Sequence, residues 1–314
     1  MAASSDSTEQ DSSCLIICAL QPSLRLDAQP PADAIDAAIA IMEQASKLHA
    51  SSIDLFVLPE LSPIGYSEHT FAHYLPANSE KQQLYLDLDT RMAQAAQDLK
   101  AHICYGSVGW HSKNKEDDGS GDNQVDYTIR QIVVDPNGNK VAVYDKIYLC
   151  DVGECAETRF FVPSPSEQPV SFQIGNRWNL GMLICFDQRF PTLARTYAAQ
   201  HNVHVLLQPA AFLRDCTFVT WKSFRETRAI ENSVYFVGVN YGGTDYGETT
   251  CVPPWVDDSG NEDYQPQSLG RESDTWLVCQ IKASVLDQVR TTFPYYRVLK
   301  QEASRGDAGG DYSK

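Results

Sequence analysis

Long apolar runs, basic charge and metal-ligand spacing are all scarce in this sequence, and each scarcity removes a class of function. No apolar stretch approaches the roughly 20 residues that a membrane-spanning helix needs. The 25 Lys and Arg are outnumbered by 41 Asp and Glu, for a formal charge of −16. Nothing forms a basic stripe able to displace phosphate counterions, so no nucleic-acid partner is expected, and an acidic surface also disfavours docking on anionic lipid. Cys-x-x-Cys is absent, and the nine cysteines are irregularly spaced. None of the seven histidines falls in a His-Glu-x-x-His pattern, so no metal site is expected. Gly106-x-x-Gly109 and Gly242-Gly243 are too short and too isolated for a phosphate loop. The first thirteen residues hold two Asp and one Glu but no Lys or Arg, unlike a signal or transit peptide. The C-terminal Tyr-Ser-Lys matches no simple sorting signal, and a cytoplasmic protein with reduced thiols is the expectation.

What the chain does contain is an alternation of buried-strand and helix patterns. Apolar runs at 14–20, 53–58, 103–110, 180–184, 203–207, 233–240 and 275–282 have the length and continuity of strands buried on both faces. Helical spacing appears at 33–49, where Ile35, Ile39, Met42 and Leu48 are assigned to one face, and at 79–101, 192–200 and 221–231. A hairpin is marked by Asp-Pro-Asn-Gly at 135–138, between strands at 127–134 and 140–149. Residues 113–126, 150–170 and 241–274 read as irregular. No composition break marks a linker, so one α/β domain over 14–303 is expected, with tails at 1–13 and 304–314.

Residues 178–191 hold the most informative junction. A short apolar run ends at Cys185, polar Asp187, Gln188 and Arg189 follow, and Pro191 opens a helical pattern. A thiol at the carboxyl end of a buried strand lies where open α/β sheets place ligands. Cysteine is a nucleophile only as a thiolate and needs a proton acceptor or a cation nearby. No histidine has positional support for that task. Glu60, just past the strand at 53–58, and Lys146, within the second hairpin strand, are the alternatives. A glutamate could take the thiol's proton, and a lysine could favour the thiolate and stabilise an oxyanion. Taken singly, each has a plainer reading: a solvated acid, a solvated lysine, a buried small hydrophobe.

Together these residues resemble the Glu-Lys-Cys set of the nitrilase superfamily, the carbon–nitrogen hydrolases. The matching motifs occur in order: Leu-Pro-Glu60-Leu with Gly65-Tyr66, Tyr-Asp-Lys146-Ile-Tyr-Leu, and Cys185-Phe-Asp-Gln-Arg-Phe-Pro. Gln-Pro-Ala-Ala-Phe at 208–212, Trp221, and Arg228-Ala-Ile-Glu-Asn232 extend the similarity over about 14–300. The resemblance implies a four-layer α-β-β-α sandwich that forms a homodimer or higher homo-oligomer, and needs no cofactor or metal. It implies Cys185 as nucleophile, Glu60 as general base and acid, and Lys146 with the Phe186 backbone N–H at the oxyanion. Glu157 is the preferred fourth residue, orienting substrate or lysine, with Glu154 as competitor. Tyr66 and Phe212 are implied to lie beside substrate; Arg189 and Trp221 are expected to brace the active-site loop or the dimer face, with substrate contact as the alternative. Cys185-Phe186-Asp187 is most similar to the omega-amidase branch, which hydrolyses small amides and releases ammonia or amine. An N-carbamoyl-amine hydrolase, a nitrilase and a silent binding protein on the same fold are the alternatives. Thr128, Thr192 and the 241–270 loop depart from the family pattern.

Overall fold

Continuous apolar runs become the central strands of two sheets. The computed structural model describes residues 13–24, 31–112, 125–153 and 155–306. Its first half runs β1 (Cys14–Gln21), α1 (Pro31–Leu48), β2 (Leu55–Val57), α2 (Glu68–Tyr74), α3 (Ser79–Leu99), β3 (His102–Ser112), β4 (Val125–Val134) and β5 (Lys140–Asp145). The second half runs β6 (Ser171–Ile174), β7 (Trp178–Met182), α4 (Pro191–Ala199), β8 (Val205–Pro209), α5 (Val219–Asn232), β9 (Tyr235–Val239), β10 (Thr250–Val252) and β11 (Gln267–Ser268). The chain then returns to the first sheet with β12 (Thr275–Lys282) and closes with α6 (Ala283–Thr292) and α7 (Tyr295–Gly306).

One sheet has the order β12-β1-β2-β3-β4-β5 and the other β11-β10-β9-β8-β7-β6. Each is parallel at its centre, β1-β2-β3 and β7-β8-β9, and antiparallel at both flanks. Parallel strands are covered on both faces, which is why Ile17, Phe56, Leu180, Leu207 and Phe236 are wholly buried. Helices α1 and α3 cover the first sheet, α4 and α5 the second, and the sheets meet through β1 with β9 and β5 with β6. The expected α-β-β-α sandwich is therefore present.

Several local expectations change. On α1 the buried stripe is Ile35, Ala38, Met42 and Ala45, whereas Leu48 is 70% exposed. At 100° per residue Leu48 has rotated away from that stripe. Strand β5 stops at Asp145, so Lys146 stands just beyond the strand arm rather than inside it. Its N–H still reaches Ile129 O at 2.8 Å, but the Tyr148 N–H turns away to the Asp187 carboxylate. The 241–274 stretch is not wholly irregular, because β10 and β11 edge the second sheet there. Helix α7 carries regular structure through Gly306, past the expected start of a tail at 304. Residues 1–12, 113–124 and 307–314, on which most of the expected tails and loop fall, lie outside the described residues. Among the described residues no helix is long and apolar enough to cross a membrane.

Candidate active site

Glu60 leaves β2 through Leu58-Pro59 and is wholly buried. Three groups from other parts of the chain fix it. The Lys146 Nζ donates to Oε1 at 2.7 Å, the Ala211 N–H donates to Oε2 at 3.0 Å, and the Tyr241 hydroxyl donates to the Glu60 carbonyl at 2.8 Å. Ala211 follows β8 and Tyr241 follows β9, so the strand ends of one sheet hold the carboxylate and the backbone carbonyl of a glutamate on the other.

Lys146 is also wholly buried, and its Nζ donates a second bond to Glu157 Oε1 at 2.7 Å. Glu157 opens a single 3-10 turn and is itself wholly buried. Its Oε1 also accepts the Tyr66 hydroxyl at 2.5 Å, and its Oε2 accepts the Cys150 N–H at 2.8 Å. Glu157 is thus the second carboxylate on the lysine, while Glu154 lies outside the described residues. Tyr66 gives its hydroxyl to Glu157. A buried ammonium between two carboxylates is the arrangement that keeps all three charges supportable away from water.

Cys185 sits two residues beyond Leu183, after β7, at the first position of a 3-10 turn with a left-handed φ of 43°. For a non-glycine residue that conformation costs about 1–3 kcal/mol and persists only when neighbours impose it. Gln208 Nε2 donates to the Cys185 carbonyl at 3.0 Å. Asp187, two residues on, accepts the Ile184 N–H at 2.9 Å and the Tyr144 hydroxyl at 2.7 Å on Oδ2, and the Tyr148 N–H at 2.9 Å on Oδ1. Tyr144 belongs to β5, so Asp187 ties the cysteine turn to the segment that carries Lys146.

The electrostatics follow from burial. Desolvation pushes the Cys185 thiol well above its ordinary pKa; the Glu60 charge adds to this and Lys146 opposes it. The resting group is a thiol. Desolvation also lifts Glu60, to about 7, with Lys146 pulling down and Glu157 pushing up. For Lys146 desolvation works against the charge, but Glu157 and Glu60 outweigh it and hold the pKa well above the usual lysine value. Burial raises Asp187 to about 6, against the pull of the Ile184 N–H and the Tyr144 hydroxyl.

A small pocket opens on this set. Cys185, Phe186, Arg189, Phe212, Cys150 and Cys155 line it, and no histidine does. The Arg189 guanidinium lies over the rings of Phe186, Phe212 and Phe224, 5.3, 5.8 and 5.3 Å from their centroids, and bonds Thr220 Oγ1 at 3.2 Å. Phe212 stands beside the pocket. Trp221 does not line it; wholly buried, it donates Nε1–H to Glu248 O at 2.9 Å and braces the loop beyond β9.

A strand-end thiol, a buried lysine and two buried carboxylates in this topology agree with the family comparison, in which the carbon–nitrogen hydrolase model matches residues 18–278. The chain belongs to the carbon–nitrogen hydrolase family. A human deaminated glutathione amidase is 33% identical over 136 residues, 40% of this chain and 40% of that protein. The chain thus matches well under half the length of that relative. A Dictyostelium discoideum protein of the same name is 27% identical over 233 residues, 68% of this chain and 73% of that one. Among solved structures, a mutant of the Nesterenkonia AN1 amidase from the nitrilase superfamily superposes with a TM-score of 0.69 at 22% identity, covering 93% of this chain and 96% of that one. That likeness speaks to fold.

For this carbon–nitrogen hydrolase, motif reading found Glu60, Lys146, Cys185 and Glu157 but not the groups that hold them. Gln208, Tyr144, Tyr241 and the Cys150 N–H are supplied by tertiary contact. Gln208 had one visible signal, a polar residue closing the otherwise apolar run at 203–207.

Proposed function

We propose that this protein is an amidase that hydrolyses the terminal amide of a small carboxylic acid through a cysteine thioester, in the manner of omega-amidases. The observation that carries this reading is the fully buried Glu60–Lys146–Glu157 array beside the pocket that exposes Cys185. With its pKa raised, the thiol needs a base, and Glu60, near neutral in its own pKa, is matched to exchange a proton at cellular pH.

In the proposed sequence Glu60 accepts the Cys185 proton as sulfur attacks the amide carbon. The Lys146 ammonium and the Phe186 N–H meet the oxyanion. Phe186 lies in the first turn after the strand, where backbone N–H groups lack partners within the turn. Glu60 returns the proton to the departing nitrogen, the C–N bond breaks, and a thioester remains. A water gives a proton to Glu60, attacks the thioester carbon and releases acid and thiol. Glu157 keeps Lys146 in place. The Arg189 cation at the pocket supports a substrate bearing a carboxylate, in keeping with the amidase names of the curated relatives. A cytoplasmic homodimer completes the proposal, supported by exposed Val219, Tyr295 and Val298 on α5 and α7.

Ammonia release from a panel of omega-amides of dicarboxylates, N-carbamoyl amines, aliphatic amides and nitriles tests the reading. The omega-amides are expected to turn over fastest, and Cys185→Ala, Glu60→Gln and Lys146→Ala are each expected to lose about 10²-fold or more. Full activity in any one of these variants, or preference for nitriles, would overturn it.

A further inference from the structure

Three of the nine cysteines meet in one pocket, and the amidase chemistry uses only Cys185. Cys150 and Cys155 lie on the same short loop. Its ends are drawn together by Cys155 N–H to Val152 O at 3.3 Å and Glu157 N–H to Cys150 O at 3.2 Å. Both residues line the pocket. Cys150 is buried and Cys155 is half-buried.

We propose that Cys150 and Cys155 are an oxidant-sensitive dithiol in the wall of the active-site pocket, which takes hydroperoxides as its co-reactant and closes to a disulfide. Two thiols five residues apart that line one small pocket, on a loop drawn together by backbone bonds, are set to close on each other by side-chain rotation. Attack from either sulfur ends in the same disulfide, while burial pushes the Cys185 thiol up; the route from Cys150 passes through its sulfenic acid. Cys150 sulfur attacks the hydroperoxide, the O–O bond breaks, one oxygen stays as the sulfenic acid and the other leaves as alcohol. Cys155 sulfur then attacks the sulfenic sulfur, the S–O bond breaks, and hydroxide leaves with the Cys155 proton as water. The two thiols lose two electrons and two protons, and the hydroperoxide gains both electrons and ends as alcohol and water.

The bond has a route to the reaction centre. The Cys150 N–H that holds Glu157 Oε2 belongs to the residue whose side chain must rotate, and Glu157 is one of the two carboxylates on Lys146. Closing the disulfide is expected to cost turnover until it is reduced. That consequence rests on the amidase reading; the disulfide does not. The core supplies a contrast. Cys251 and Cys279 are both buried, Cys279 wholly, and neither borders the pocket, so they should stay reduced.

The test is peptide mapping of the full-length protein, treated with tert-butyl hydroperoxide, blocked with N-ethylmaleimide and digested without reductant. The expected product is a Cys150–Cys155 linked peptide, lighter by two hydrogens and restored by dithiothreitol, while Cys251 and Cys279 stay alkylatable. Cys150 and Cys155 both recovered as alkylated thiols while Cys185 is oxidised, or Cys155 linked to Cys185, would overturn the proposal. In Cys155→Ser, with activity referred to its own untreated value, peroxide should drive Cys150 past the sulfenic stage, and dithiothreitol should no longer restore what was lost. Full recovery in that variant also counts against the pair. Absence of ammonia release before any peroxide is added would instead count against the amidase reading, leaving the peptide map to decide the disulfide on its own.

Discussion

Gln208 Nε2 donates to the Cys185 carbonyl at 3.0 Å, and Cys185 is the residue held at a left-handed φ of 43°. The side chain of the last polar residue on one central strand thus restrains the backbone conformation of the thiol at the end of its neighbour. Gln208→Leu keeps the size of the side chain and removes the donor. It is expected to lower kcat by roughly 10–10²-fold through misplacement of the sulfur, with a much smaller change in KM. A rise in KM at unchanged kcat would show that Gln208 does not position the nucleophile.

The pH profile follows from Glu60. To accept a proton it must be ionised in the free enzyme, and burial raises its pKa to about 7 while Lys146 draws it down. The value of kcat/KM should therefore rise with pH through a limb centred near 7. Glu157 contributes to the upward push. Removing its charge in Glu157→Gln should move the limb to lower pH even as kcat falls. A limb that stays in place or moves up would show that Glu60 is not the group being titrated.

Asp187 receives three donors on two oxygens, the Ile184 N–H, the Tyr144 hydroxyl and the Tyr148 N–H. An asparagine offers one oxygen, so at least one buried donor loses its acceptor. Asp187→Asn is expected to cost about 1–3 kcal/mol by chemical denaturation. Tyr144→Phe, which removes only the neutral hydroxyl, should cost less. A stability order opposite to this would place the tie elsewhere.

Gly106 is a backbone-approach position. A Cβ there would stand 2.4 Å from Leu61 N and 2.5 Å from Leu61 Cα, in the turn directly after Glu60. The Gly106 N–H already donates to Ser62 O at 2.8 Å. Since backbone rather than a mobile side chain must yield, Gly106→Ala is expected to cost about 1–3 kcal/mol and to displace Glu60, lowering both Tm and kcat. Gly109, three residues on, would meet the Thr128 and Arg130 side chains instead, and Gly109→Ala is expected to leave kcat closer to wild type.

Much of the fold was legible because its central strands are buried on both faces. The run at 14–20 is apolar without interruption, the one at 203–207 is broken only by His204, and each reappears as a central strand. The turn at 135–138 was equally plain from Asn-Gly. Elements that take their stability from neighbours were not. The short strands β10 and β11 have little sequence of their own; β10 forms on the unpaired backbone of β9, and β11 on that of β10. Helix α2, capped by Ser67, packs Phe71 against Phe160 and Phe161 from a distant loop.

Local motifs in the chain mark out an acid after one buried strand, a lysine at the end of a hairpin and a thiol after another buried strand. Only the tertiary structure decided their states. Whether Glu60 is a solvated acid or one with a pKa near 7, and whether Cys185 rests as thiol or thiolate, depends on burial and on charges supplied from 86 residues away in the Lys146–Glu60 pair. The Glu60–Lys146 contact joins segments after β2 and β5 of one sheet, and Cys185 and Ala211 reach it from the other because the two sheets pack face to face. Desolvation and Coulomb interaction act through that space, and no local pattern in the chain encodes them.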